Sequence, residues 1–296
     1  MQKLTIVVNC TDRKSVTPAP DLRIQSLPAE DLPTRFDLWR HRLATAHDKL
    51  RLRYLYQGEA WVQATCLAGD IRNQGACVRM LVASAGLGLR EVTELAPAYS
   101  ATFATGHPDS VAADSKGNVE WWELLATLPS SRSVDELTDG PTLLVLSENY
   151  ARAMDQDLVA LANQGGDYLL VGGWRTITGL PRLPVDRDLR QALGGTVSSL
   201  GLRMARRWMA TRSRSHRLFD PVDHQRWTQW AASVRKPEKY DRTPRTDVEL
   251  MEIITELLNE EPTLSATRAL RVVRDSGIAC EQKRFARLFR DVVECR

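Results

Sequence analysis

The stretch Val78-Arg79-Met80-Leu81-Val82-Ala83-Ser84-Ala85-Gly86-Leu87-Gly88-Leu89 decides the fold. A run of apolar residues breaks abruptly into Ser, Ala and Gly. Strands buried on both faces read as continuous apolar runs, and their C-terminal ends open onto the crevice of a parallel sheet. The same signature recurs at Leu4-Thr5-Ile6-Val7-Val8, followed by Asn9-Cys10-Thr11-Asp12-Arg13-Lys14. It recurs again at Leu143-Leu144-Val145-Leu146, followed by Ser147-Glu148-Asn149, and at Tyr168-Leu169-Leu170-Val171, followed by Gly172-Gly173. Four such strand ends predict one crevice.

Between these runs lie helical patterns, predicted over residues 34–50, 59–68, 149–163, 200–211 and 220–234. Strand and helix alternate, so the chain is expected to be α/β, with a three-layer parallel sheet of about four strands. A polar, Gly- and Pro-punctuated loop spans 93–117, a length usually tied to function. Residues 1–235 are read as one α/β domain, and 236–244 as a linker. Residues 246–296 are read as an all-helical C-terminal domain. Its three helices are expected over 247–259, 266–275 and 281–292, with a tight turn at Ser276-Gly277-Ile278. The last helix carries Lys283, Arg284, Arg287 and Arg290, a helix-turn-helix-like pattern that suits DNA.

The chain has 296 residues and a formal charge of +3, so the bulk charge says little. Its distribution says more: Arg203, Arg206, Arg207, Arg212, Arg214 and Arg217 crowd one stretch, with Arg226, Arg235, Lys236 and Lys239 beyond it. A basic surface of this kind suits a phosphate backbone, although a solvated helical face has the same composition. The five cysteines are Cys10, Cys66, Cys77, Cys280 and Cys295, an odd count with no zinc-ligand spacing. Without a signal peptide, that count points to a reducing cytoplasm. No run is long enough to cross a membrane. The histidines His41, His47, His107, His216 and His224 are scattered, so no metal is expected, and no cofactor is required.

At the first strand end, Asp12 is a candidate catalytic carboxylate, with Asn9 as a donor and Glu91 as a second carboxylate. Cys10, Ser84, Gly86, Tyr99 and Ser147 are candidates for holding a planar ligand. The Ser84–Leu89 segment lacks the terminal Gly-Lys-Ser/Thr of a phosphate loop and can equally be close packing of helix on sheet. Lys14, Ser198, Ser199, Arg203 and Arg207 are candidate phosphate contacts, the serines through the amides of a helix start. Leu200 is placed to act as an apolar wedge in a base stack, or else as an ordinary core leucine. Lys283, Arg284 and Arg287 complete the candidate DNA contacts.

Four short motifs in order resemble the α/β domains related to the YaaA peroxide-stress proteins. They are Cys10 with Lys14, then Leu55, Tyr56, Gly58 and Trp61, then Ser84, Ala85, Gly88 and Leu89, and finally Pro97 with Tyr99. Such domains are similar to the uracil-DNA glycosylase fold, a parallel four-stranded sheet between helices. The resemblance implies a base-binding crevice at the strand ends. It also implies an acidic residue after the first strand that positions water, and a Ser-rich loop with a Leu that grips DNA. Asp12 and Ser198-Ser199-Leu200 match those places by order. The family's Gly-x-Asp-Pro motif and His-Pro-Ser loop are missing here.

The expected function is that of a DNA glycosylase acting on a modified base in double-stranded phage DNA, with glucosylated cytosine as the suggested case, in antiviral defence. The alternatives are a non-catalytic DNA-binding stress protein and an RNA base-modifying transglycosylase.

Overall fold

The computed structural model describes residues 3–213, 217–237 and 243–294. Arg214, His216, Lys239 and Cys295 of the sequence reading lie outside the described residues. The chain divides into two compact units, Met1–Lys236 and Pro237–Arg296.

The first unit is built on a six-stranded sheet. Its strands are β1 (Lys3–Asn9), β2 (Cys77–Ser84), β3 (Gly88–Glu91), β4 (Thr142–Leu146), β5 (Tyr168–Gly172) and β6 (Arg182–Leu183). Their order across the sheet is β3-β2-β1-β4-β5-β6, all parallel except β3, which runs antiparallel to β2. All four predicted strands are present, and two edge strands go beyond the reading.

One of them changes the meaning of the opening stretch. Ser84-Ala85-Gly86-Leu87 is a tight turn that folds the chain back along β2, so Leu89 and Arg90 pair with Ala83 and Val82. The sequence pattern of a strand ending in a crevice and that of a buried hairpin coincide here. Both want small residues after an apolar run.

The helices that position the site are α1 (Leu32–Thr45), α2 (Glu59–Asn73), α3 (Ser115–Ala126), α4 (Glu148–Ala153), α5 (Asp155–Asn163), α6 (Leu200–Thr211) and α7 (Pro221–Val234). The crossover β1–α2–β2 moves one way across the sheet, and β4–α4–α5–β5 moves the other way. Right-handed crossovers in opposite directions put their helices on opposite faces. Accordingly α6 packs on α2 and against β4 and β5, while α1, α3 and α4 pack together. Both faces are covered, so Leu4, Ile6, Val7 and Val8 are almost fully buried, as are Leu143, Leu144, Leu169 and Val171.

Residues 93–117 are a packed segment. Tyr99 and Phe103 are fully buried, and bridges to Arg23 and between Thr102 and Ser110 tie the backbone down. Buried rings supply the packing energy that ordinary loops lack.

The second unit contains α8 (Asp247–Glu260), α9 (Ala266–Asp275) and α10 (Gln282–Glu294). Thr246 and Glu249 form a reciprocal capping box at the start of α8, and Ser265 caps α9. Leu250, Ile254 and Leu258 of α8 recur every four residues and meet Phe285, Leu288 and Val292 of α10. The turn after α9 is longer than predicted, because Ile278–Ala279 forms a short parallel pair with Thr243–Pro244. Among the described residues, no helix is long and apolar enough to cross a membrane.

Candidate active site

The strand order reverses direction in sequence between β1 and β4. In an open parallel sheet that switch point leaves a crevice outside the carboxyl ends of the two strands. A cavity of about 730 Å³ lies there, in the range that accepts a compact organic ligand. Its walls come from the ends of β1, β4 and β5, from the start of α2 and from the loop leading into α6.

Asn9, Cys10, Asp12, Ser147 and Ser198 all line this crevice, as read from the sequence. Asn9 spans the switch point, its Oδ1 accepting from the Ser147 backbone N–H at 3.3 Å. That uses the oxygen and leaves the amide NH₂ as a donor. Cys10 sits beside it, with Sγ 3.0 Å from the Tyr150 hydroxyl. At the end of β5, Gly172 and Gly173 line the crevice. At Gly172, where φ is +95°, a Cβ would lie 2.1 Å from the Leu146 carbonyl oxygen, so only glycine fits. Arg182 donates to the Gly172 and Gly173 carbonyls, which fixes this turn.

Among the described residues three carboxylates, Asp12, Glu59 and Glu148, line the crevice, and they differ in their partners. Glu148 pairs with Arg152 at 2.7 Å. Glu59, which the sequence reading treated only as a helix start, is the best-connected. It accepts from the Thr196 N–H at 3.2 Å, from the Ser199 hydroxyl at 2.8 Å and from Arg203 Nη2 at 2.8 Å. Partial burial pushes its pKa up, but the hydrogen bonds from Arg203, Ser199 and Thr196 outweigh that and hold it at about 2. Asp12 is exposed at the crevice and has no ion pair or side-chain hydrogen bond among the described residues.

Several expectations are corrected by this geometry. Glu91 lies outside the crevice and is paired with Arg79 at 2.6 Å, so it is no catalytic candidate. Gly86 and Tyr99 hold each other in the core, since a Cβ on Gly86 would come within 2.4 Å of the Tyr99 ring. Ser84 is fully buried, bonded to the Tyr99 hydroxyl at 2.5 Å and accepting from the Gly86 and Leu87 N–H groups. These three cannot bind a base in the crevice. Leu200 is fully buried and cannot be a wedge; exposed apolar residues lining the crevice are Val197 and Val185. Ser199 is also fully buried, so the helix-start seat assigned to phosphate is filled by Glu59.

The basic candidates divide likewise. Arg203 is spent on Glu59 and the Leu193 carbonyl, and Arg207 stacks over the Trp230 ring at 3.7 Å. Lys14 turns inward, its Nζ buried. In the second unit Arg284 and Arg287 both pair with Asp247, whereas Lys283 is exposed. Those guanidinium groups, Arg287 first, hold the Asp247 carboxyl below the usual range. Arg13, a candidate phosphate contact beside Lys14 in the sequence, lines the crevice, as do Arg187 and Trp174, which sequence reading overlooked. The Trp174 indole donates to Asp155 at 3.0 Å and lies 4.3 Å from the Arg152 guanidinium.

The motif residues from four separate segments meet in one buried knot beside the crevice. Tyr56 and Tyr99 hydroxyls are 2.8 Å apart, Tyr99 continues to Ser84, and Lys14 Nζ lies 4.5 Å from the Tyr99 ring centre. Burial pushes the phenols of Tyr56 and Tyr99 well above their ordinary pKa, so both stay protonated.

Among the described residues no group of His, Cys, Asp and Glu has the arrangement of a metal site. No family model, no curated protein and no solved structure matches this chain.

Proposed function

We propose that the chain is a DNA glycosylase that cleaves the N-glycosidic bond of a modified base. The suggested substrate is a glucosylated cytosine of phage DNA, and the role antiviral defence. Asp12 carries this reading, as an exposed carboxylate with no ion pair at the switch-point crevice. The parallel strands between helix layers agree with the uracil-DNA glycosylase-like architecture that the motifs imply.

Breaking the bond between C1′ and the base nitrogen builds positive charge on the sugar. A carboxylate unpaired with a protein cation can stabilise that charge and orient the attacking water. Glu59 and Glu148 are less able to do so, since each is already neutralised by an arginine. The Asn9 amide is placed to donate to the departing base. Arg13 and Arg187 at the rim supply positive charge for a phosphate backbone, and Val197 offers an apolar edge. The cavity volume suits an extrahelical base better than a duplex, so the base would have to leave the stack.

The test is to incubate the protein with unmodified and hypermodified phage DNAs. Released base and alkali-labile sites are measured for the native chain and for Asp12→Asn. Release from one modified DNA, lost in the variant, is expected. Binding without release from any DNA would leave a non-catalytic DNA-binding protein. Release or exchange on tRNA alone would leave the RNA reading.

A further inference from the structure

Lysines normally bury their methylene stem and keep the ammonium in water. Lys14 does the reverse. The residue as a whole is half-buried, yet its Nζ is sealed from solvent and has no hydrogen-bond partner among the described residues. The head rests against the rings of Tyr99 and Tyr56, at 4.5 and 5.9 Å from their centres. A buried ammonium without a partner is costly, and the neutral amine is the form such a site favours. Desolvation lowers its pKa, partly countered by Cys10, Asp12 and Asp109.

The choice of residue fits that environment. The chain carries 33 arginines against seven lysines. Arginine cannot give up its proton in a protein, whereas a desolvated lysine can. At this buried position the chain departs from its own habit. Lys14 itself does not line the crevice, but its neighbours Cys10, Asp12 and Arg13 do, as does Gln57, and Cys10 and Asp12 are near enough to act on the amine electrostatically. The Gln57 N–H bonds the Arg13 carbonyl at 2.9 Å and Lys14 pairs with Tyr56, which fixes the backbone of this segment beside residues that line the crevice. Among the described residues the head has ring contacts and no hydrogen bond, so no hydrogen bond would have to break for it to leave this seat.

We propose that Lys14 is an imine-forming amine whose substrate is the aldehyde of a ring-opened abasic deoxyribose. This rests on the glycosylase reading, because that sugar is the glycosylase's product. The neutral Nζ attacks C1′ and the carbonyl oxygen takes up a proton, giving a carbinolamine. Loss of water leaves a protonated imine. Removal of a C2′ proton by Asp12 then breaks the C3′–O bond and expels the 3′ phosphate. Water adds to C1′, returning the amine and an unsaturated aldehyde. No oxidant or reductant is consumed.

The experiment supplies abasic DNA prepared beforehand, so failure of base release cannot obscure the result. The native chain is mixed with that DNA and borohydride, which reduces an imine to a stable amine. Peptide mapping of the adduct then needs no variant at all. A covalent adduct on Lys14, lost in Lys14→Met and in Lys14→Arg of native thermal stability, is expected. No adduct, or an adduct mapped to another lysine, overturns the proposal. Base release on modified DNA without any adduct would leave the glycosylase reading standing and remove this one.

Discussion

Glu59 and Arg203 stand 144 positions apart in the chain and meet at 2.8 Å on the rim of the crevice. The pair joins the start of α2 to the start of α6. Thr196 and Ser199 close the same carboxylate from the loop between them. Gly195 suits this junction because its φ is +78°, and a Cβ there would also push aside the Glu59 carboxylate and the Arg203 guanidinium.

Glu59 therefore makes the 194–199 loop sensitive to acid, in a direction that can be stated. Its pKa falls from 4.5 to about 2 on folding. A depressed carboxylate stabilises the folded state fully above the unfolded value, and that stability drains away as pH falls toward the folded value. The side chain is about one-third exposed, so solvent screening keeps the effect modest. Hydrogen exchange at the Thr196 amide is expected to stay protected at pH 5 and to lose protection between pH 4.5 and 2. Glu59→Gln is expected to be less protected at pH 5 and to lack that change. Identical profiles in the two proteins would show that Glu59 does not hold the loop.

The parallel sheet was legible because strands buried on both faces have no polar alternation to hide them, as Leu4–Val8 and Leu143–Leu146 illustrate. The strand ends at Asn9, Cys10, Asp12 and Ser147 followed directly, since a switch point exposes whatever comes after the strand. What escaped was partnership. Ser199, Arg203 and Glu59 each look like ordinary surface residues in one dimension. Only the packing of α6 on α2 shows that they spend their polar groups on one another. Burial escaped for a related reason, because a turn of small residues reads the same whether it faces a ligand or a tyrosine. Tyr99 and Gly86 are that case.

Leu200 and Val197 separate stability from DNA contact. Leu200 is fully buried in the first unit, and Leu→Ala at such a site costs about 2–5 kcal/mol. Val197 is 44% exposed, and Val197→Ser should change stability by no more than about 0.5 kcal/mol. Thermal melts should show a large drop for Leu200→Ala and almost none for Val197→Ser. Base release per DNA bound should fall in the second variant. A Leu200→Ala chain with native stability and selectively lost activity would restore leucine as the wedge.

Gly86→Ala tests whether the opening stretch is core or ligand site. Its methyl would meet the Tyr99 ring, which is itself fixed by Tyr56, Ser84 and the edge of Trp39. Forcing a methyl into a packed core costs about 1–3 kcal/mol. Denaturant melts should show that loss, and adding Tyr99→Leu should recover part of it by making room. A chain of unchanged stability but weakened DNA binding would place Gly86 on the ligand path instead.

The arginines of α10 should not behave alike. Arg284 and Arg287 converge on Asp247, the first residue of α8, so their charge is already matched within the unit. Lys283 and Arg290 are exposed and form no ion pair among the described residues. Each phosphate contact removed lowers the slope of log affinity against log salt by about 0.9. Lys283→Gln with Arg290→Gln is therefore expected to flatten the salt dependence of DNA binding and leave the melting temperature unchanged. Arg284→Gln with Arg287→Gln is expected to act on stability, freeing Asp247 and loosening α8 against α10, with a smaller change in slope. Salt titrations of the two double variants on one duplex decide between these assignments, and equal slopes in both would mean that the basic face of α10 is not where DNA is held.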